Sequence, residues 1–212
     1  MKEYYERRAP EYDDWYLTRG LFEARERPGW KEELAELVEH VSSLPPARVL
    51  DVACGTGFLT RHLRGELVGL DQSGAMLGMA RKAVPGLPLV RADALALPFP
   101  DRAFDRVFTS HFYGHLPDDD RRRFLSEARS VAAELVIVDA GVRGGVPRDE
   151  WQDRVLSDGS RHRVFKRFFE SAGLAAELGG GETLHDGRWF VAVRCCAAAG
   201  RQARTHGQGW GD

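Results

Sequence analysis

The sequence predicts an α/β fold, and three observations point to it. Apolar runs of strand length alternate with segments of helical periodicity through most of the chain. A glycine-bearing turn, "CGTG" at 54–57, follows the first apolar run. Near the C-terminus two extended runs flank "HDGR", where Asp-Gly is a strong hairpin signal.

The elements follow in order. "WKEELAELVEHVSSL" sets Leu34, Leu37, Val38 and Val41 on one helical face, and Pro45 and Pro46 stop it. "ARVLDVA" is a buried strand and "GFLTRHLR" a short helix. "ELVGLD" is the second strand, and Ser73 is placed to cap the helix "GAMLGMARKAV". "LPLVRAD" and "FDRVFTS" are the third and fourth strands. A helix then spans about 118–133, and "ELVIVDA" is the fifth strand. An irregular stretch runs to about Ser160. "RHRVFKRFFESAGL" reads as a helix ending at Gly173, and the hairpin follows. Residues 1–196 read as one domain, with 1–44 as a helical cap and 197–212 as a disordered tail.

With 212 residues, 43% apolar and 29% charged, the chain is long enough for one sizeable core. A formal charge of −2 leaves no basic footprint for nucleic acid or an anionic membrane. Cys54, Cys195 and Cys196 make no disulfide framework, and no run approaches transmembrane length, so a cytoplasmic setting is expected.

In open α/β sheets the ligand sits beyond the carboxyl ends of the strands. The residues there are Asp51 with its glycine turn, then Asp71, then Asp93, and after the fourth strand "SHFYGH". A dinucleotide fingerprint asks for a third glycine where this chain has Thr60, and Asp51 beside a pyrophosphate is electrostatically unfavourable. S-adenosylmethionine, cationic and free of phosphate, suits the acids better. Asp71 is placed to grip a ribose diol, Asp93 to accept the adenine amino group and the Ala94 amide to donate to the ring. Gly55 and Gly57 allow close approach to the methionine part, and Met76 and Leu77 offer an apolar wall or simply core. Ala53, Gln72 and Ser110 flank these positions.

"VLDVACGTGFLT", "VGLDQSGAML" and "VRADALALPFPDRAFDRVFT" resemble the first three motifs of the class I S-adenosylmethionine-dependent methyltransferases, small-molecule branch. The opening "YYERRAPEYDDWY" resembles that branch's N-terminal segment. The resemblance covers roughly residues 4–195. It implies a doubly wound, Rossmann-like, seven-stranded sheet, mostly parallel with an antiparallel last strand. It also implies that Asp51, Gly55, Gly57, Asp71, Asp93 and Ala94 line the cofactor site.

Against a metal pair at His111 and His115, no glutamate follows and no third ligand is evident. Either histidine is instead a candidate general base, His111 before His115, or a loop histidine; Tyr113 is a lesser candidate. Tyr4, Tyr5, Tyr12, Trp15 and Tyr16 form either a packing face or a lid, with Tyr5 and Tyr12 near the sulfonium and Arg8 on the cofactor carboxylate. Trp151 serves an acceptor pocket or the core. The expectation is methyl transfer to a small molecule by a monomer or homodimer. The alternatives are a non-catalytic cofactor-binding module and an NAD(P)-dependent oxidoreductase.

Overall fold

The structure is a computed structural model that describes residues 2–196; the tail expected at 197–212 lies outside them. Strands β1 (Ala47–Val52), β2 (Gly65–Asp71), β3 (Leu89–Arg91), β4 (Phe104–Ser110) and β5 (Ala132–Ala140) pair in parallel. Strands β8 (Glu182–Asp186) and β9 (Phe190–Cys196) complete a seven-stranded sheet ordered β3-β2-β1-β4-β5-β9-β8, in which β9 runs antiparallel to both neighbours. The order reverses beside β1, which opens a crevice at the strand ends there.

Alternate residues along each strand feed opposite faces, which is why the parallel strands read as continuous apolar runs. Leu135 and Ile137 join one core with Leu50, Val107 and Phe124, the last from helix α5 (Asp118–Val131). Val136 and Val138 join the other with Val49, Phe108 and Leu37, the last from the helix Trp30–Ser43. Burying each such side chain stabilises the fold by roughly 1.5–3 kcal/mol.

The N-terminal segment holds α1 (Lys2–Arg8), α2 (Asp14–Leu17) and that longer helix, α3. Helix α4 (Gly74–Ala83) follows β2, and Ser73 caps it as expected, accepting the Met76 amide at 3.1 Å.

Three expectations need correction. The segment after Gly57 forms only a 3-10 turn, Thr60–His62. The stretch to Ser160 contains strand β6 (Asp149–Val155), paired antiparallel with β7 (Arg161–Arg167) as a separate ribbon. Thus "RHRVFKR" is a strand, and α6 (Ser171–Glu177) starts only afterwards, with Gly173 in its interior. The helical spacing of Val164, Phe165, Phe168 and Phe169 masked a period of two. Val164 and Lys166 point inward, while Phe165 faces Trp151 across the ribbon at 5.6 Å between ring centres.

Candidate active site

A cavity of about 380 Å³ opens at the carboxyl ends of β1, β2 and β4. Its wall includes Ala53, Gly55, Asp71, Gln72, Met76, Asp93, Ala94, Ser110 and His111. Tyr5, Tyr12, His115 and Trp151 also face it. Arg8, Asp51 and Gly57 do not line it.

The turn after β1 is built from left-handed backbone. Ala53 has φ 57°, Gly55 φ 56° and Gly57 φ 79°. At Gly57 a Cβ would stand 3.2 Å from Val84 and 3.5 Å from the Ala80 backbone, so this glycine lets α4 close on the turn. Ala53 holds the same conformation with a side chain, a local strain of about 1–2 kcal/mol placed at the cavity wall.

Asp71 is held in place by two amides. Its Oδ2 accepts from Gly55 at 3.0 Å and its Oδ1 from Ser73 at 2.8 Å, which leaves a lone pair on each oxygen for a ligand. Burial raises its pKa above the ordinary carboxylate value. Asp93 accepts the Leu95 amide at 2.9 Å and stays exposed. Asp51 is enclosed: its Oδ2 accepts from the Thr60 hydroxyl at 2.5 Å, while its Oδ1 is buried with no partner. Burial pushes its pKa up to about 7. A cation close by would draw it back into the charged form.

Leu70, Ala92, Leu95 and Phe112 supply apolar wall between these acids. The acids in the wall are Asp71, Asp93 and Asp120, and among the described residues it contains no lysine or arginine. A pyrophosphate here would face carboxylates with no countercharge. An adenine nucleoside that carries positive charge fits the same donor set.

The loop after β4 carries both histidines. His111 is 7% exposed, sits at φ 52° and packs against Trp15, Tyr16 and Phe190, with its Nε2 lacking a partner. Burial lowers its pKa to about 3, so the ring is neutral. His115 is buried too, and its Nδ1 lies 2.6 Å from the Phe165 carbonyl. Only a protonated Nδ1 satisfies that carbonyl, so Nε2 is an acceptor. Burial holds His115 well below its ordinary value as well. Beneath the loop Asp139 and Lys166 form a buried ion pair, and Asp139 Oδ2 accepts the Gly114 amide at 2.7 Å. Tyr113 points away from the cavity and hydrogen-bonds Glu177 at 2.6 Å.

The N-terminal segment docks on the same machinery. Thr56 of the turn donates to Asp13 at 2.5 Å, and Tyr16 stacks on Phe58 with ring centres 3.9 Å apart. Glu6 accepts the amides of Gly74 and Ala75 at 2.9 and 3.0 Å, at the start of α4. Those bonds lower the Glu6 pKa. Arg8 is buried against the Tyr12 ring at 4.9 Å and donates to the Tyr4 hydroxyl.

Sequence reasoning missed Phe165, Pro117 and Asp120 in the wall. Phe165 was hidden by the misread ribbon. Asp120 belongs to the run "PDDD", which reads as an ordinary acidic helix start.

Residues 49–134 match a family model described as a methyltransferase domain. A demethylmenaquinone methyltransferase of Thermotoga maritima is 38% identical over 107 residues, which cover 48% of this chain and 44% of that protein. A phthiotriol/phenolphthiotriol dimycocerosates methyltransferase of Mycobacterium tuberculosis is 44% identical over 90 residues, covering 38% and 32%. The chain spans less than half the length of these curated relatives. Among solved structures, a DhpI-SAM-HEP complex superposes with a TM-score of 0.72 at 26% identity, covering 92% of this chain and 95% of that one. The matched span runs from within β1 into β5.

Proposed function

We propose that the protein is an S-adenosylmethionine-dependent methyltransferase acting on a small molecule. One observation carries this reading: a cavity at the β1 switch point walled by Asp71, Asp93 and Asp120, with no lysine or arginine in it among the described residues. Such a wall favours a positively charged nucleoside over a phosphate-bearing one. The match of residues 49–134 to the methyltransferase-domain model, and the superposition on the DhpI-SAM-HEP complex, support the same reading.

In this reading Asp71 takes the ribose hydroxyls, Asp93 and the Ala94 amide the adenine, and the Gly55 turn the methionine end. Arg8, behind Tyr12 and outside the cavity wall, acts on that end through its charge and not by contact. When bound, the cofactor supplies a methyl group already activated by its sulfonium. The chain's own part is to position the acceptor, exclude water and hold any departing proton. His115 Nε2 is the acceptor best placed for that proton, because its tautomer is fixed by Phe165. Residues 2–27 act as a lid latched by Glu6, Asp13 and Tyr16.

Calorimetry with S-adenosylhomocysteine, and with NADH as control, tests the reading. Saturable binding of the sulfur ligand is expected, weakened roughly ten- to hundredfold in Asp71→Asn as charge-assisted bonds are lost. Asp93→Ala, at an exposed carboxylate, gives a smaller loss without risk to the fold. Binding of NADH alone would overturn the proposal.

A further inference from the structure

Behind one side of the cavity wall stand five arginines, none of which makes an ion pair with a carboxylate among the described residues. Around the Phe22 ring stand Arg25 at 4.7 Å, Arg27 at 5.8 Å and Arg8 at 5.9 Å. The Tyr4 ring adds Arg154 at 5.7 Å to Arg8 at 5.5 Å, and Arg154 also donates to the Tyr4 hydroxyl at 3.2 Å. The fifth, Arg143, lies over Trp189 at 4.8 Å.

Their hydrogen bonds go to neutral acceptors. Arg8 and Arg154 share the Tyr4 hydroxyl, Arg154 also uses the Gln152 side chain, and Arg27 uses the Trp15 carbonyl. Arg27 keeps Nε and Nη2 buried with no partner. Of the acids on this side, Asp139 is engaged by Lys166 and two amides, and Glu150 accepts from Gln152 while its charge acts on Arg143 without an ion pair. Burial, with Arg25 and Arg143 nearby, pushes Arg27 down to about 10.

Unpaired guanidinium groups in a partly desolvated cleft are unfavourable unless an anion joins them. One cofactor carboxylate near Arg8 leaves the others unbalanced. The shell stands one side chain behind the cavity wall: Tyr12 separates it from Gly55, and the charges of Arg8 and Arg154 act on Tyr5 and His115. An anion seated there therefore lies beside the wall that faces the reacting methyl.

We propose that the methyl acceptor is a small oxyanion, phosphate-like or polycarboxylate, whose charged group seats on Arg27, Arg143 and Arg154 between the N-terminal segment and the β6–β7 ribbon. This rests on the methyltransferase reading and narrows its substrate class. The acidic cofactor wall and the basic acceptor seat then sort two ligands of opposite charge within one crevice.

The test is calorimetry of inorganic phosphate and of citrate into the full chain at constant ionic strength, with and without S-adenosylhomocysteine. Saturable binding of at least one anion is expected. It should weaken at least tenfold in Arg154→Gln and recover in part in Arg154→Lys, while S-adenosylhomocysteine binding stays as in the wild type. Preference for phosphate or for citrate identifies the headgroup. If Arg154→Gln loses both ligands, Arg27→Gln carries the comparison instead. The proposal is overturned if neither anion binds saturably, or if Arg154→Gln and Arg27→Gln bind it as the wild type does. Anion binding without S-adenosylhomocysteine binding would sink the cofactor reading and leave the oxyanion seat standing.

Discussion

At the scale of single residues, His115 and His111 differ in what their rings are free to do. His115 spends Nδ1–H on the Phe165 carbonyl and keeps Nε2 as an acceptor, whereas His111 is wedged among Trp15, Tyr16 and Phe190. The chain spacing shows two histidines four apart; it cannot show which one the ribbon will orient. Replacing His115 with glutamine is expected to lower kcat roughly 10²- to 10⁴-fold if the acceptor must lose a proton, with S-adenosylhomocysteine affinity unchanged. Steady-state kinetics beside calorimetry separates those effects. Because His115 is held neutral well below its ordinary 6.5, the wild-type rate should show no acid limb near that pH. An inflection at 6.5 would exclude His115 as the base.

At the scale of elements, what was legible depended on how local the cause was. The strands β1 to β5 and Ser73's cap follow from apolar runs and one hydroxyl, and they appear where expected. Two of the three strand-end carboxylates, Asp71 and Asp93, fall into one wall because strand order brings them together, whereas Asp51 is enclosed outside it. The ribbon β6–β7 was illegible for the opposite reason. It is fixed by contacts remote in sequence, among them Lys166 with Asp139 and the Phe165 carbonyl with His115. The latch at α4 was missed similarly, since Glu6 caps an amide pair 68 and 69 residues away. Glu6→Gln removes a charge from a helix N-terminus, a change of roughly 0.3–1 kcal/mol. Limited trypsin cleavage at Arg19 and Arg25 should quicken about two- to fivefold in this variant, and bound S-adenosylhomocysteine should slow it again. Equal rates in variant and wild type would mean that Glu6 does not hold the segment down.

At the scale of the whole molecule, the two buried neutral histidines tie stability to pH. Both have folded pKa values lowered from 6.5, so the unfolded chain binds more protons below that pH and stability falls with acidification. The loss begins near 6.5 and, for His111, continues toward its folded value of about 3. Each group contributes roughly 1.4 kcal/mol per pH unit in that window. Asp51, raised to about 7, and Asp71 act in the opposite sense as pH falls, so the histidine contribution is read by comparing variants: the loss of urea midpoint between pH 7 and pH 5 should be smaller in His111→Phe than in the wild type, or turn into a gain. The same pH dependence in both would mean that the His111 ring is not buried neutral.

The two walls of the crevice also come from different stretches of chain. The acidic wall is built almost wholly from the family-matched span 49–134, while the arginine shell comes from residues before β1 and after β5. In the proposed reading, selectivity for the acceptor is encoded largely apart from recognition of the methyl donor, in two cassettes that flank it. In that reading, exchanging the cassette after β5 between relatives would retarget the acceptor while leaving the grip of Asp71 and Asp93 on the donor untouched.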